Sequence, residues 1–496
     1  MRLRETLKVG YLKRAVIAVF VLISSCNQIL EIEADDTISG DIYTDQANIE
    51  KALISAYFSF GGINDGSVGG ELMGGDLILI PTLLARQNNT EISWDDVNGA
   101  QYSNFMDKTI LAANDRVAAN WRRAYEVINT LNNILVNIEN VSDGTARSKI
   151  EGEALAMRGI LYFEMIRLWG DAYTDLTMDK ESIPLILNPI TEVNEIVTPE
   201  LATVKEVYDQ AEADLSQAST LLQSLGKNDV YLSYYACQAY LMRLYMQKGD
   251  LLGAEVYANE IINSAQYELE SDPMLAFNNP VNSREDIFAI QQTAANNAGD
   301  KSTGTGLPNY YSSITESGLG VMRIFEFSLI SSLRPNGPQY SSADLRGKVD
   351  TNVDANTTAE TVSAAFYTNV LNTSLLSSSK YLKSDRVIPR IRLAEVLLSR
   401  AEIIYEKNIK VIDPMALADL NAVRDRAGLP ILVEADFFNS FAFYDSLKLE
   451  RKRELIFEGI IFHDLKRWND NIGLTSARSP KFKLPIPQSE TDTWTN

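Results

Sequence analysis

Histidine and cysteine are nearly missing from this chain of 496 residues: His463 stands alone, and Cys26 and Cys237 are the only thiols. A Ser-His-Asp triad, a Cys-His pair or a multi-histidine metal site would have to use His463 or not exist, which weighs against most hydrolases and zinc enzymes. Cys237 lies in SYYACQAYLMRLY, a helix-like run where a thiol behaves as a small buried hydrophobe. Positive charge is short too. Lys and Arg total 45 against 66 Asp and Glu, a net charge of −21, so nucleic acid and anionic membrane surfaces are poor partners for the body of the protein. No glycine-rich phosphate loop, HExxH or CxxC occurs. Asp350, Asn352 and Asp354 begin like a calcium loop, but Ala355 stands where the turn needs glycine and Thr361 where a bidentate Glu belongs. Neither a metal nor any other cofactor is expected.

Apolar runs long enough to span a bilayer, about 20 residues as a helix, are also lacking. What stands in their place is AVIAVFVLI at 15–23, nine residues behind a leader carrying Arg2, Arg4, Lys8, Lys13 and Arg14 against Glu5. That is the layout of a signal peptide. Ile23-Ser24-Ser25-Cys26 follows it and resembles the lipobox of bacterial lipoproteins, which makes Cys26 the expected lipidation site and 1–25 the expected signal peptide. Several acyl chains hold a protein on a membrane where one chain does not. With Cys26 lipidated no internal disulfide can form, so stability must come from burial.

Residues 26–44 read as an acidic spacer, and helical periodicity begins near Asp45 with Ile49, Leu53, Ala56 and Tyr57 on one face. A glycine-dense run at 61–75 breaks it, and 77–105 reads as loop. Residues 120–138 and 150–169 keep three-and-four apolar spacing around the turn Ser142-Asp143-Gly144, which predicts a helical hairpin. Thr198-Pro199-Glu200 looks like the start of the next helix, reaching to Leu225. Leu241, Tyr245, Gly249 and Ala254 then match part of the tetratricopeptide pattern, two helices around a tight turn. From 272 to 380 the composition shifts to Ser, Asn, Thr and Gly, with DIFAIQQT the one strong strand, and such long irregular segments are usually functional or disordered. Helices are predicted again at 388–407, 414–427 and 441–469. The predicted fold class is mostly α: irregular tetratricopeptide-like helix pairs, in an N-terminal part at 45–271 and a C-terminal part at 381–496, with a loop-rich sector between them.

Taken together, IYTDQANIEKALISAY, NWRRAYEVINTLNNIL, EALAMRGILYFEMIRLWGD, LYMQKGDLLGAEVYANEII, IPRIRLAEVLLSRAEIIYE, LNAVRDRAGLP, ERKRELIFEGIIFHDLKRW and LPIPQSE resemble the SusD/RagB family, outer-membrane nutrient-capturing lipoproteins of Bacteroidetes. The resemblance covers nearly all of the chain after Cys26. It implies four irregular helix pairs and a loop-rich face that holds an oligosaccharide, or in some members a peptide, against a TonB-dependent transporter of the SusC kind. It also implies a binding protein with no reaction of its own, lipid-anchored in the outer membrane and facing outward.

Sugar binding without catalysis rests on an aromatic face for the apolar side of the ring, with amides and carboxylates for its hydroxyls. Trp121, Trp169 and Trp468 sit in helical motifs and read as core, and Trp494 lies in the tail. Trp94 remains, with Asp95, Asn98 and Tyr102 beside it in a polar stretch, and Tyr310-Tyr311 in the long sector is a second candidate. If that sector is extended there, neighbouring side chains point opposite ways and only one of the two tyrosines serves. Glu454, Glu458, His463 and Asp464 could be presented as an acid/base cluster, a lipid-anchored glycosidase using Glu458 and Asp464. Glu450, Glu454 and Glu458 recur at four-residue spacing among Arg451 and Arg453, however, the pattern of orientation-fixing ion pairs. A helical scaffold that takes no small ligand is the remaining reading.

Overall fold

A computed structural model describes residues 40–494, apart from 64–68, 88–90, 95–100, 192–197, 315–317, 325–343, 355, 363 and 371–373. The leader with Cys26, and the candidates Asp95 and Asn98, lie outside the described residues. The chain divides into a small unit, Met1–Ile42 with Ile190–Ile196, and a large one, Tyr43–Pro189 with Val197–Asn496. Only residues 40–42, 190 and 191 of the small unit are described; everything below concerns the large one.

Local chemistry sets the helices. Helix α1 (Gln46–Phe60) opens on Asp45, whose side chain accepts from the Asn48 N–H, and buries Ile49, Leu53, Ala56 and Phe60. Helix α2 (Asp76–Leu84) falls where a loop is expected. Each of its residues is buried, Pro81 included, so no amphipathic stripe marks it in the sequence. A short strand β1 (Ile92–Trp94) and helix α3 (Ser103–Asp107) follow. Helices α4 (Asp115–Val136) and α5 (Gly144–Trp169) form the expected hairpin, with Trp121 and Trp169 in the core.

Strands β2 (Glu181–Pro184) and β3 (Leu201–Thr203) pair ahead of helix α6 (Val204–Leu222). That helix starts at Thr203, which makes both halves of a capping box with Glu206. Thr198 instead donates its hydroxyl to the Trp494 carbonyl. A Cβ on Gly159 would lie 3.0 Å from the Ala211 carbonyl oxygen, so the small residue is what lets α5 and α6 close up. Helices α7 (Tyr234–Lys248) and α8 (Leu251–Asn263) join through Gly249-Asp250, the tetratricopeptide-like turn.

Strand β4 (Asp286–Ile290), helix α9 (Gly306–Tyr311) and strands β5 (Met322–Ile324), β6 (Val349–Asp350), β7 (Phe366–Thr368) and β8 (Leu376–Ser378) occupy the sector between the helical parts. Strand β1 joins four of them in a five-stranded sheet of order β1-β5-β8-β7-β6, antiparallel except for β6 with β7. Residues 388–392 are not the first turn of a helix but strand β9 (Ile388–Arg392), antiparallel to β4. Pro389 disfavours a helical Ile388 and supplies no helical N–H. Helix α10 (Leu393–Lys407) begins after it, followed by α11 (Pro414–Arg426).

The last predicted helix is two. α12 (Ser440–Glu454) and α13 (Ile461–Trp468) flank a turn in which Phe457 and Gly459 take φ of 66° and 77°. At Gly459 a Cβ would meet the Ile78 backbone at 2.9 Å. Helix α5 packs on α6, α6 on α7, α7 on α8, α8 on α10, and α10 on α11 and α12, a continuous succession of helix pairs of the predicted kind. Among the described residues no helix is long and apolar enough to cross a membrane.

One buried ion cluster joins the sector to the C-terminal helices. Arg392 reaches Glu285 (2.8 Å), Glu454 (3.1 Å) and Glu458 (2.7 Å). Arg426 bridges Glu285 and Glu454 at 2.6 and 2.7 Å, Arg346 holds Glu450 and Glu454, and Lys380 holds Glu458 at 2.6 Å. Arg392, Glu285 and Glu454 are at most 1 % exposed at the side chain. Desolvating such charges is costly, and removing one partner leaves the rest uncompensated. Arg392→Met is therefore expected to destabilise the fold by about 3–5 kcal/mol, read as a lower urea midpoint.

Glu402 performs a similar task between α10 and α13, accepting from Arg467 at 2.6 and 2.9 Å and from the Trp468 indole at 2.5 Å. Burial alone would raise its pKa, but Arg467 and Arg451 outweigh it and hold the carboxyl at about 2, below the ordinary 4.5. A depressed folded pKa gives stability that is complete above the unfolded value and lost as pH falls through the folded one. Urea midpoints measured from pH 7 down to 2 should fall more steeply below pH 4.5 in the native protein than in Glu402→Gln.

Candidate ligand-binding site

Three aromatic residues, two of them near neighbours in sequence and the third 208 positions beyond the second, meet at the edge of the five-stranded sheet. Trp94 ends β1, opposite Met322 of β5. Tyr102 lies just before α3, and Tyr310 is in the last turn of α9. Their ring centroids are 5.2 Å apart for Trp94 with Tyr102, 5.4 Å for Trp94 with Tyr310 and 5.0 Å for Tyr102 with Tyr310, all tilted. These are attractive aromatic separations. Tyr102 and Tyr310 are 7 % and 6 % exposed, whereas Trp94 is half-buried. The two tyrosines, expected as direct contacts, are thus largely buried beneath Trp94, which is the least buried of the three.

The foundation is itself locked from below. Tyr102 donates to Asp76 at 2.8 Å, and Asp76, 1 % exposed at the head of α2, also accepts from the Asn120 amide at 2.6 Å. Arg116 of α4 pairs with Asp76 at 2.6 Å and lies 5.7 Å from the Tyr102 ring centroid. The Tyr310 hydroxyl sits 3.3 Å from that of Tyr102 and donates to the Gly304 carbonyl at 3.2 Å. Burial pushes the Tyr102 phenol well above its ordinary value against the pull of Arg116, so it stays a donor. Reasoning from sequence did not reach Asp76, Arg116 and Asn120. The traces were an acid at the head of an apolar run, DLILIPTLL, and an Arg and Asn four apart on α4.

Tyr311 does not join them. It is fully buried against Tyr381 and Phe457, with centroids 5.2 and 5.6 Å away. The segment is helical rather than extended, so the two tyrosines diverge by about 100° around α9 rather than across a strand.

The alternative chemistries find little support. Glu458 lies in the turn after α12, off the face shared by Glu450 and Glu454. Burial would raise it, yet Arg392 and Lys380 hold it below the ordinary carboxylate range, the opposite of a general acid. Asp464 accepts from Arg451 and Arg467 at 3.0 and 2.9 Å. His463 is 2 % exposed, and its burial, with cationic neighbours, keeps it neutral. Burial pushes the Cys237 thiol up to about 12, which makes it inert. Asp350 and Asp354 accept from backbone N–H groups of their own loop, and among the described residues no group of three or more His, Cys, Asp or Glu is placed to hold a metal.

Comparison with known proteins places this geometry in context. A family model described as SusD family matches residues 339–494, and one described as starch-binding, associating with outer membrane, matches 71–246. SusD-like protein P2 of Formosa agariphila is 26 % identical, with 78 % of this chain and 78 % of that protein aligned. A SusD-like protein of Bacteroides ovatus is 21 % identical over 79 % of this chain and 71 % of its own. Among solved structures, a SusD superfamily protein from Bacteroides thetaiotaomicron superposes with a TM-score of 0.74 at 22 % identity, covering 90 % of this chain and 98 % of that one. Surface glycan-binding protein A of the same species gives 0.67 at 19 %, covering 91 % and 98 %.

The lock beneath the rings is testable. Tyr102→Phe keeps the ring but removes a hydrogen bond to a buried carboxylate, so thermal and urea unfolding should show a loss of about 1.5–3 kcal/mol.

Proposed function

The chain belongs to the SusD/RagB family, and on that footing we propose that it is a glycan-binding lipoprotein of the outer membrane that captures oligosaccharide and passes it to a TonB-dependent transporter of the SusC kind. The observation that carries the reading is the half-buried Trp94, its ring seated on Tyr102 and Tyr310 at 5.2 and 5.4 Å. A rigid aromatic face receives the apolar C–H side of a pyranose with little ordering cost, because its own side chain is already fixed by packing. Asp95 and Asn98, next along the chain from Trp94, supply acceptors and an amide for sugar hydroxyls. A glycan-binding role also agrees with Glu458 and Asp464 being held in ion pairs. Tethering through Cys26 keeps the body near one transporter, so transfer takes place at high effective concentration.

Isothermal titration of a soluble form starting after Leu30 against a broad oligosaccharide panel tests the reading. Saturable heat with at least one glycan is expected, and Trp94→Ala should weaken that binding about tenfold or more while its circular dichroism stays native-like. Heat from a peptide mixture and from no glycan would replace the reading with peptide capture. Transporter pulldown with binding indifferent to Trp94 would reduce the protein to a scaffold.

A further inference from the structure

A cavity of about 200 Å³ lies on the other end of α2 from Asp76. Its walls come from the C-terminal turn of α2 and the residues after it, from Ile92 of β1, from the outer face of α12, and from the turn that leads to α13. None of Trp94, Tyr102 and Tyr310 contributes to it. The apolar part of the lining is Ala85, Ile92, Leu449, Ile456, Phe457 and Ile461. Its far wall is fixed, since the Gly459 turn sits directly on the Ile78 backbone and leaves no room even for a Cβ.

Five polar side chains reach this space, and four are engaged; Thr82 donates to the Ile78 carbonyl at 2.7 Å. Arg86 donates to the Ile92 and Met106 carbonyls and to Asp107, each at 3.1 Å. Glu91 accepts from the Gln87 N–H at 2.9 Å, and Gln87 accepts from the Gly473 N–H at 3.1 Å. Lys452 is different. It projects from α12 one turn beyond Lys448, which takes Asp470 at 3.4 Å, and among the described residues Lys452 itself has no ion pair. Burial holds its ammonium below the ordinary lysine range, with Asp470, Asp464 and, from the cavity wall itself, Glu91 pulling the other way. A cation desolvated against aliphatic walls is stabilised when an anion joins it there.

We propose that this cavity is a second ligand site, separate from the aromatic face, which takes a small monoanion: one carboxylate, paired with Lys452, on a compact hydrocarbon body of five to seven carbons. The volume admits a single ring or a short branched chain, and the scarcity of free polar groups along the wall argues against a polyhydroxylated unit. The site is independent of the oligosaccharide reading and would stand if that reading fell.

Isoleucine δ1-methyl labelling supplies reporters inside the cavity, at Ile92, Ile456 and Ile461. Cyclohexanecarboxylate added to the soluble protein should shift these methyls saturably, and the uncharged cyclohexylmethanol should bind about tenfold or more weakly. Lys452→Met should weaken the carboxylate by a similar factor while leaving the melting temperature equal or higher and oligosaccharide titration unchanged. Ala85→Leu, which fills the space without touching charge, should block both probes. No saturable shift at concentrations on the order of 10 mM, equal binding of acid and alcohol, or shifts confined to isoleucines elsewhere would each overturn the proposal.

Discussion

Arg392 is the hinge pin of the architecture. It ends the strand that pairs with β4, immediately before α10 begins, and its guanidinium touches carboxylates from three separate places: Glu285 ahead of β4, Glu454 at the end of α12, and Glu458 in the turn beyond. An ionic cluster this dry adds little net stability compared with a hydrocarbon core of the same volume. What it does add is direction. Planar forks accept carboxylates in few geometries, so the β4–β9 pair and the α12–α13 turn are held in one arrangement. The turn in turn carries Phe457, which packs on Tyr311 and so positions α9.

The aromatic face uses the same device at smaller scale. A buried carboxylate, Asp76, gathers a phenol, an amide and a guanidinium from α3's approach and from α4. Tyr102 is fixed by that lock, Tyr310 rests on Tyr102, and Trp94 rests on both. Rigidity therefore passes upward from a buried charge to the ring at the sheet edge. A pre-positioned ring loses little entropy on binding, which matters for a weakly polar contact such as C–H against π.

The amphipathic helices were legible in the sequence because one face meets water, and the tetratricopeptide-like turn at Gly249-Asp250 because the turn residues are constrained. Helix α2 was not, since nine residues buried on all sides leave no stripe to read, whereas α5 and α10, also buried through most of their length, run to 26 and 15 residues; β9 was not, since it is buried along its whole length and leads straight into a helix. Strands of two or three residues leave too short a pattern to read. Trp94 and Tyr102 could be singled out from their polar surroundings, but their meeting with Tyr310, 208 positions further along than Tyr102, depends on tertiary packing. Tyr310 and Tyr311 were equivalent in sequence; only the pitch of α9 sends one ring toward Trp94 and the other into the core. The glutamates spaced by four suggested ion pairs, and apart from Arg453 the arginines that complete them lie 26 to 108 positions away.

Placing the half-buried Trp94 at the edge of a sheet, above a sealed foundation, separates two kinds of constraint. Asp76 is gripped by Tyr102, Asn120 and Arg116, and Arg392 by Glu285, Glu454 and Glu458, so neither buried charge leans on Trp94 itself. Substitutions at the sheet edge therefore answer to different demands from those at the buried charges, and the one can vary while the fold and its assembly stay under stricter selection.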